Sequence, residues 1–265
     1  KQIASNNMAA IDLFRLDGKI ALVSGGSRGI GEAICHGLAE QGAHVIVSSR
    51  KLEGCEVVAQ AIRDNGGEAT AMSCHAGDLD AVEKLFGDIK EQFGGLDILI
   101  NNGGTNPYYG AVAETPVAAY DKTFEVNLRG PFFMSERAVE MMKERGGGAI
   151  LNMASIDGIS AGVFQGVYSI TKAAMISMTQ SFAVENGQYG IRVNALCPGL
   201  TETKFTTVFA EQEGYDDVVK ALPLKKTAVP LDMVGATLLM VSDAGGCMTG
   251  QTLVIDSGSL IAHGL

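Results

Sequence analysis

Tryptophan is absent from the chain, and aromatic residues make up only 6% of it. A core must therefore be built from aliphatic side chains, alanine and methionine, which supply most of the 46% hydrophobic content. Basic residues are scarce: 20 Lys and Arg face 30 Asp and Glu, for a net charge of −10. Such a field repels polyanions, which argues against nucleic acid as a partner. The four histidines, His36, His44, His75 and His263, do not cluster. The five cysteines (Cys35, Cys55, Cys74, Cys197, Cys247) are odd in number and lack CxxC spacing. That pattern offers neither a disulfide framework nor a zinc site, so no metal is expected. It suits small buried thiols in a reducing compartment, and the cytoplasm is the expected location. No apolar stretch approaches the roughly 18 residues a membrane span needs, and no signal-peptide pattern opens the chain.

Glycine, by contrast, is abundant, with 34 residues that fall mostly at element boundaries. Short apolar runs alternate with helix-periodic segments along the 265 residues. The runs at Ile20–Val23, Ala43–Ser48, Glu68–Met72, Ile98–Ile100, Ala149–Met153, Ile191–Leu196 and Thr252–Ile255 read as strands. Helical spacing is expected over Ile30–Gln41, Leu52–Asp64, Asp80–Phe93, about Tyr120–Glu144 with an interruption at Pro131, Ala173–Asn186, and Leu231–Ser242. The apolar runs lack polar alternation, as strands covered on both faces do. The alternation implies βαβ units. The expected fold is therefore α/β, a single Rossmann-type doubly wound sheet of seven parallel strands with helices on both faces. One domain over 16–265 is expected, with an irregular substrate loop at about 200–226. Residues 1–15 read as an N-terminal leader, either a tag remnant or residues around a start at Met8.

Ser24-Gly25-x-x-x-Gly29-Ile30-Gly31 follows the first strand and opens the first helix. In that setting one glycine makes the tight turn, one admits a pyrophosphate to the backbone, and one lets helix pack on strand. The helix amino terminus then offers N–H groups and partial positive charge to phosphates. A carboxylate ending the second strand would select NAD through the ribose hydroxyl. Here that place holds Ser48-Ser49-Arg50, and Arg28 lies in the glycine loop. Two guanidiniums and no carboxylate favour the 2′-phosphate of NADP(H) over NAD(H).

The second cluster is Tyr168-x-x-x-Lys172, four residues apart on a helix and so on one face. An ammonium beside a phenol should favour the phenolate, drawing its pKa below the usual value of roughly 10. A tyrosine tuned that way exchanges protons near neutral pH. Ser155, just past the fifth strand, could hold a substrate oxygen beside it.

Together these residues resemble the classical short-chain dehydrogenases/reductases. The resemblance rests on the glycine loop, Asn101-Asn102-Gly103-Gly104, Asn127, Ser155, Tyr168-x-x-x-Lys172 and Pro198-Gly199-x-x-x-Thr203, in family order and spacing. It covers about 14–260 and is nearest to NADPH-dependent carbonyl reductases and 3-oxoacyl-carrier-protein reductases. It implies hydride transfer between a nicotinamide and a carbonyl or secondary-alcohol substrate, in a homotetramer. By position, Tyr168 is the general acid/base, Lys172 tunes it and binds the nicotinamide ribose, Ser155 holds the substrate oxygen, and Asn127 keeps a water in a proton relay. The implied cofactor set is Gly25, Ser27, Arg28, Gly29, Ile30, Ser49, Arg50, His75, Asn102, Gly103, Tyr168, Lys172, Pro198, Gly199, Thr201 and Thr203. Three positions depart from the pattern: Ser24 for Thr, Gly103 for Ala, and His75 where an Asp commonly meets the adenine amino group. The substrate pocket should draw on Tyr108, Ile156, Asp157, Val163, Phe164, Gln165 and Phe205, a mix that suggests a moderately apolar carbonyl compound. NAD(H) dependence, or a non-catalytic nucleotide-binding scaffold on the same fold, are the alternatives.

Overall fold

The structure is a computed structural model that describes residues 9–203 and 214–262. Seven parallel strands form one sheet in the order β3-β2-β1-β4-β5-β6-β7. They are β1 (Ile20–Ser24), β2 (His44–Ser49), β3 (Glu68–Ser73), β4 (Ile98–Asn101), β5 (Gly148–Met153), β6 (Ile191–Pro198) and β7 (Thr252–Ile255). The connecting helices are α1 (Gly29–Glu40), α2 (Leu52–Asp64), α3 (Leu79–Phe93), α4 (Val117–Phe124), α5 (Gly130–Arg145), α6 (Gly166–Asn186), α7 (Tyr215–Ala221) and α8 (Val234–Val241).

Successive strand residues point to opposite faces, and both faces are apolar. Ala21, Val23, Val45 and Val47 pack with Ile34, Leu38, Val58 and Met240 from α1, α2 and α8. Leu22, Ile46, Leu99 and Ile150 pack with Phe86, Ile89, Met134 and Met142 from α3 and α5. This two-sided burial is why the strands read as unbroken apolar runs. The chain starts at β1, winds outward to β3, then returns to β4 on the other side of β1. At that reversal the connections after β1 and β4 leave in opposite directions and open a crevice at the carboxyl edge.

Two elements differ from the sequence expectation. The long helix begins at Val117, and its irregularity is a π-helical turn over Glu125–Arg129, just upstream of Pro131. Pro131 sits in the first turn of α5 and has no N–H to give the Asn127 carbonyl. Gly130 N–H instead reaches back to Glu125 O. The turn thus places Asn127 where the helix ladder is broken, as π turns often do at functional sites. Second, the region read as irregular carries α7, which opens at Gly214 with φ 91°.

One buried ion pair ties β1, β4 and α5 together at the other edge of the sheet. Asp97 accepts from Ile20 N at 2.8 Å and takes Arg145 in a two-pronged pair at 2.8 and 2.9 Å. Removing the carboxylate strands a partly buried guanidinium and an amide. Asp97→Ala should therefore lower the unfolding free energy by about 3 kcal/mol, read from urea denaturation, whereas an exposed pair such as Lys84–Asp88 should matter by less than about 1 kcal/mol.

Candidate active site

The glycine loop turns tightly at the end of β1. Gly25 and Gly29 both have positive φ, 67° and 59°, which favours glycine. The tightest position is Gly31. A β-carbon there would lie 2.2 Å from Gly25 O and 2.5 Å from Asn102 Nδ2. A β-carbon on Gly25 would meet the backbone of Gly103 at 2.9 Å. The loops after β1 and β4 are therefore pressed together, and polar groups fix the contact. Asn102 Nδ2 donates to Gly25 O at 3.1 Å. The Ser24 hydroxyl accepts from the backbone N–H groups of Asn102 and Gly103 at 3.1 and 3.3 Å. Ser24 keeps the hydroxyl that this contact uses, so its departure from threonine costs nothing here.

The remaining expected cofactor residues gather around this crevice. Gly26 N–H donates to Ser48 O, the step from loop to β2. Ser27 packs against Gly54 at the start of α2. Ser49 ends β2, and its hydroxyl accepts from Cys55 Sγ at 3.3 Å. Arg28 and Arg50 are both exposed. Pro198 ends β6 and Gly199 follows, its N–H bonded to Ile255 O. Thr201 pairs with Ala228, and Thr203 lies over Gly29. His75 is held within its own neighbourhood. Its Nδ1 accepts from Gly77 N–H at 3.0 Å and its Nε2 faces Lys122 Nζ at 2.9 Å. An adenine contact through His75 would need one of these given up, since neutral imidazole has a single acceptor nitrogen.

At the carboxyl end of β5, Ser155 and Tyr168 share a hydrogen bond. Lys172, one turn along α6, lies with Nζ 5.5 Å from the Tyr168 ring centroid. It is 3% exposed and donates to Met153 O at 2.6 Å. Asn127 holds the loop after β4: its Oδ1 accepts from Thr105 N–H and its Nδ2 donates to Thr105 O, both at 2.8 Å. Nδ2 also reaches Thr171 Oγ1 at 3.3 Å. Asn127 Oδ1 and Lys172 Nζ both border Gly104, whose missing β-carbon would sit 3.7 and 3.8 Å from them. The four catalytic candidates thus meet at one place beside the glycine crevice.

The electrostatics correct one expectation. The Tyr168 phenol is not acidified here; its pKa lies well above the ordinary value. Burial is the main cause, the Asp157 charge adds to it, and the Ser155 hydrogen bond only partly opposes it. The sequence argument counted the ammonium and omitted desolvation, which disfavours a buried phenolate. Lys172 itself is brought down to about 8 by burial.

Among pocket residues, Tyr108 is partly buried and folds back on its own loop, its hydroxyl donating to Ala111 O at 3.3 Å. Its neighbour Tyr109 is exposed at the surface, yet bonds with Asn106 and senses the charge of Asp157. Phe164 holds a positive φ of 61°, unusual for a bulky residue, and is exposed together with Val163. Phe205 lies outside the described residues.

A profile described as Enoyl-(Acyl carrier protein) reductase matches residues 25–259. The "Dehydrogenase/reductase SDR family member 4" of Bos taurus is 34% identical over 246 residues, spanning 92% of this chain and 88% of the relative. The chain is a classical short-chain dehydrogenase/reductase. An "Uncharacterized oxidoreductase" of Thermotoga maritima is 39% identical over 249 residues, covering 91% of this chain and 97% of the relative. Among solved structures, a gluconate 5-dehydrogenase from Burkholderia cenocepacia in complex with NADP and tartrate superposes with a TM-score of 0.92 at 30% identity, covering 96% of this chain and 99% of that one. The chain therefore belongs to an oxidoreductase family that uses a nicotinamide cofactor and small-molecule substrates. No helix among the described residues is long and apolar enough to cross a membrane.

The buried lysine carries a stability cost with a defined pH dependence. Its folded pKa of about 8 lies below the unfolded value of 10.5, so the unfolded chain binds more protons between them and stability rises with pH there. The penalty is fully present below pH 8, at about 3 kcal/mol, and fades by pH 10.5. Lys172→Met should be more stable than wild type at pH 7 by about 1–3 kcal/mol, less what the unpaired Met153 carbonyl costs. The gap should close as pH rises from 8 to 10.5, measured by denaturant unfolding across that range.

Proposed function

We propose that the chain is an NADP(H)-dependent oxidoreductase that moves a hydride between the nicotinamide and a carbonyl or secondary-alcohol carbon. The observation that carries this reading is the meeting of Ser155, Tyr168, Lys172 and Asn127 beside the glycine crevice. The crevice fits the cofactor: the loop turns tightly through Gly25 and Gly29, Gly31 packs against Gly25 O, and the turn leads into the amino terminus of α1, where a pyrophosphate would sit. Gly25, Gly29 and Ile30 would hold the pyrophosphate. Ser27, Arg28, Ser49 and Arg50 would take the 2′-phosphate, Asn102 and Gly103 the adenosine half. Lys172 and Tyr168 would hold the nicotinamide ribose, and Pro198, Gly199, Thr201 and Thr203 the carboxamide side. When bound, the cofactor supplies or accepts the hydride.

The chain's own residues handle the oxygen. Ser155 holds it in place. In reduction, the Tyr168 hydroxyl gives its proton to the oxygen as the carbon gains the hydride, and the product is the alcohol. In oxidation the phenolate takes that proton back. A phenol whose pKa is raised keeps its proton at neutral pH, so the resting site holds the protonated form that reduction uses and little of the phenolate that oxidation uses. Lys172 and Asn127 border the same space and are placed to return a proton to Tyr168.

Two further observations support the finer parts of the reading. No hydrogen bond or ion pair engages the side chain of Arg28 or Arg50 among the described residues, which leaves both guanidiniums available to a phosphate. The Burkholderia relative carries NADP. Phe132, Ile170 and Val184 lie exposed on α5 and α6, at 44%, 49% and 84%, and a homotetramer would cover them. The cytoplasm is the proposed location.

The test follows nicotinamide absorbance with NADPH and a carbonyl panel. Tyr168→Phe should lose turnover by at least about a hundredfold while still binding NADPH. A fully active Tyr168→Phe rejects the mechanism, and NADPH binding with no turnover across the panel favours the scaffold. Arg50→Ala should weaken NADPH relative to NADH by about tenfold, and equal affinities before and after the change reject the 2′-phosphate assignment. Rates of alcohol oxidation should climb with pH to the alkaline end of the profile. Asp157→Asn should bring that rise to lower pH, since the carboxylate is one cause of the raised phenol.

A further inference from the structure

Asp157 stands two residues past Ser155, in the short helical turn Ile156–Gly158. Its Oδ2 accepts from Ser155 Oγ at 3.3 Å, and its own N–H donates to the same oxygen at 3.1 Å. The carboxylate therefore touches the hydroxyl proposed to hold the substrate oxygen. No ion pair or further hydrogen bond engages Asp157 among the described residues. Oδ1 is left with no donor.

Oδ1 lies close to Gly162, whose missing side chain makes room for the carboxylate. A β-carbon there would lie 2.6 Å from Oδ1 and 3.4 Å from Gln165 Nε2. Gly162 does not have a positive φ, so its value at this place is the missing side chain and not a special backbone conformation. Polar groups line the rest of the space. Gln165 Oε1 accepts from Asn106 Nδ2 at 3.5 Å, Asn106 bonds with Tyr109, and Tyr109 lies within the field of Asp157. Among the described residues the ammonium acting on Asp157 is that of Lys172, itself committed to Met153 O. A half-buried carboxylate with an oxygen that no described residue engages, beside the hydroxyl proposed to position substrate, can accept a hydrogen bond from a bound molecule in place of water. A donor there gains what a hydrogen bond to a charged group is worth.

We propose that Asp157 is a specificity-determining residue that accepts a hydrogen bond from a hydroxyl on the carbon next to the reacting carbon. The substrate class is then α-hydroxy ketones and the vicinal diols they become on reduction, in place of simple apolar ketones. This rests on the oxidoreductase reading above. The same carboxylate repels an acid group at that neighbouring carbon, so 2-oxo acids are excluded as good substrates. A site built to bond a substrate hydroxyl discriminates strongly against the analogue that lacks it, because its own polar group is left bare.

The experiment compares 1-hydroxy-2-butanone, 2-butanone and 1-methoxy-2-butanone with NADPH, for wild type, Asp157→Asn and Asp157→Leu. The methoxy compound keeps the oxygen on the neighbouring carbon but caps it with a methyl group and has no proton to give, while 2-butanone lacks the oxygen altogether. Wild type should favour the hydroxy ketone over both others by about tenfold to a hundredfold in kcat/KM, the worth of a hydrogen bond to a charged group. In Asp157→Leu that ratio should collapse toward one. Asp157→Asn, which keeps shape and an acceptor oxygen without the charge, should fall between. A wild type that does not separate the hydroxy from the methoxy ketone overturns the assignment, as does an Asp157→Leu variant that keeps the preference. Because the readout is a ratio within each variant, a general loss of fold or of turnover does not imitate it. If wild type binds NADPH and reduces none of the three, the oxidoreductase reading fails as well. If it reduces all three alike, that reading survives and only the role of Asp157 is lost.

Discussion

The site depends on a single buried cation. Lys172 puts its ammonium almost entirely out of water and spends one N–H on the carbonyl of Met153, the last residue of β5. That bond pins α6 to the carboxyl end of the strand from which Ser155 follows. Tyr168, a turn earlier on the same helix, is thereby held against Ser155. Without the pin, helix and strand could slide and the tyrosine–serine pair would lose its register. The cost shows in the lysine's pKa, drawn down to about 8 by burial. An apolar side chain would pack there more cheaply. The lysine is retained at a place where stability and chemistry pull in opposite directions.

The same logic runs through the helix behind it. A regular α-helix over 117–145 would carry Asn127 past the site with its carbonyl tied into the ladder. Pro131 removes the donor that carbonyl would use, and the π turn over Glu125–Arg129 takes up the mismatch. Asn127 can then spend its side chain on both backbone groups of Thr105. The loop after β4 is fixed by the same two bonds. The glycine loop is fixed from its other side by Ser24 and Asn102. Both walls of the crevice are thus held by side-chain bonds to backbone, the means available where no strand continues.

Much of this was legible in the sequence, for identifiable reasons. Strands such as Leu22–Val23 and Ile46–Val47 are buried on both faces, and two-sided burial leaves an unmistakable apolar run. Gly25 and Gly31 answer to close approaches that no side chain tolerates, and Gly29 to a left-handed φ, so their pattern survives as a motif. What failed was anything decided by three-dimensional crowding. The pKa of Tyr168 depends on how completely α6 and β5 exclude water, and spacing carries no measure of that. That Tyr109 senses Asp157 while Tyr108 bonds to Ala111 is set by the fold of their loop. The position of the break in the long helix was assigned to Pro131 itself, whereas the missing donor acts four residues upstream. Helix α7 was missed because Tyr215–Ala221 is short and buries no residue, which leaves no periodic stripe to find.

A raised phenol and a lowered ammonium are two outcomes of one cause. Both groups sit in the same water-poor space, and each shifts toward its neutral form. The sequence argument treated Lys172 as a charge acting on Tyr168 through an otherwise ordinary medium. In the folded chain the medium dominates, and the charge that acts most on the phenol is the carboxylate of Asp157, which pushes it further up. In the proposed mechanism a neutral tyrosine holds its proton until an oxygen bearing new negative charge appears, which is the situation at a carbonyl receiving a hydride. The two proposals then meet in Asp157: its charge helps keep the phenol protonated, and its second oxygen is the acceptor proposed for a hydroxyl beside the reacting carbon.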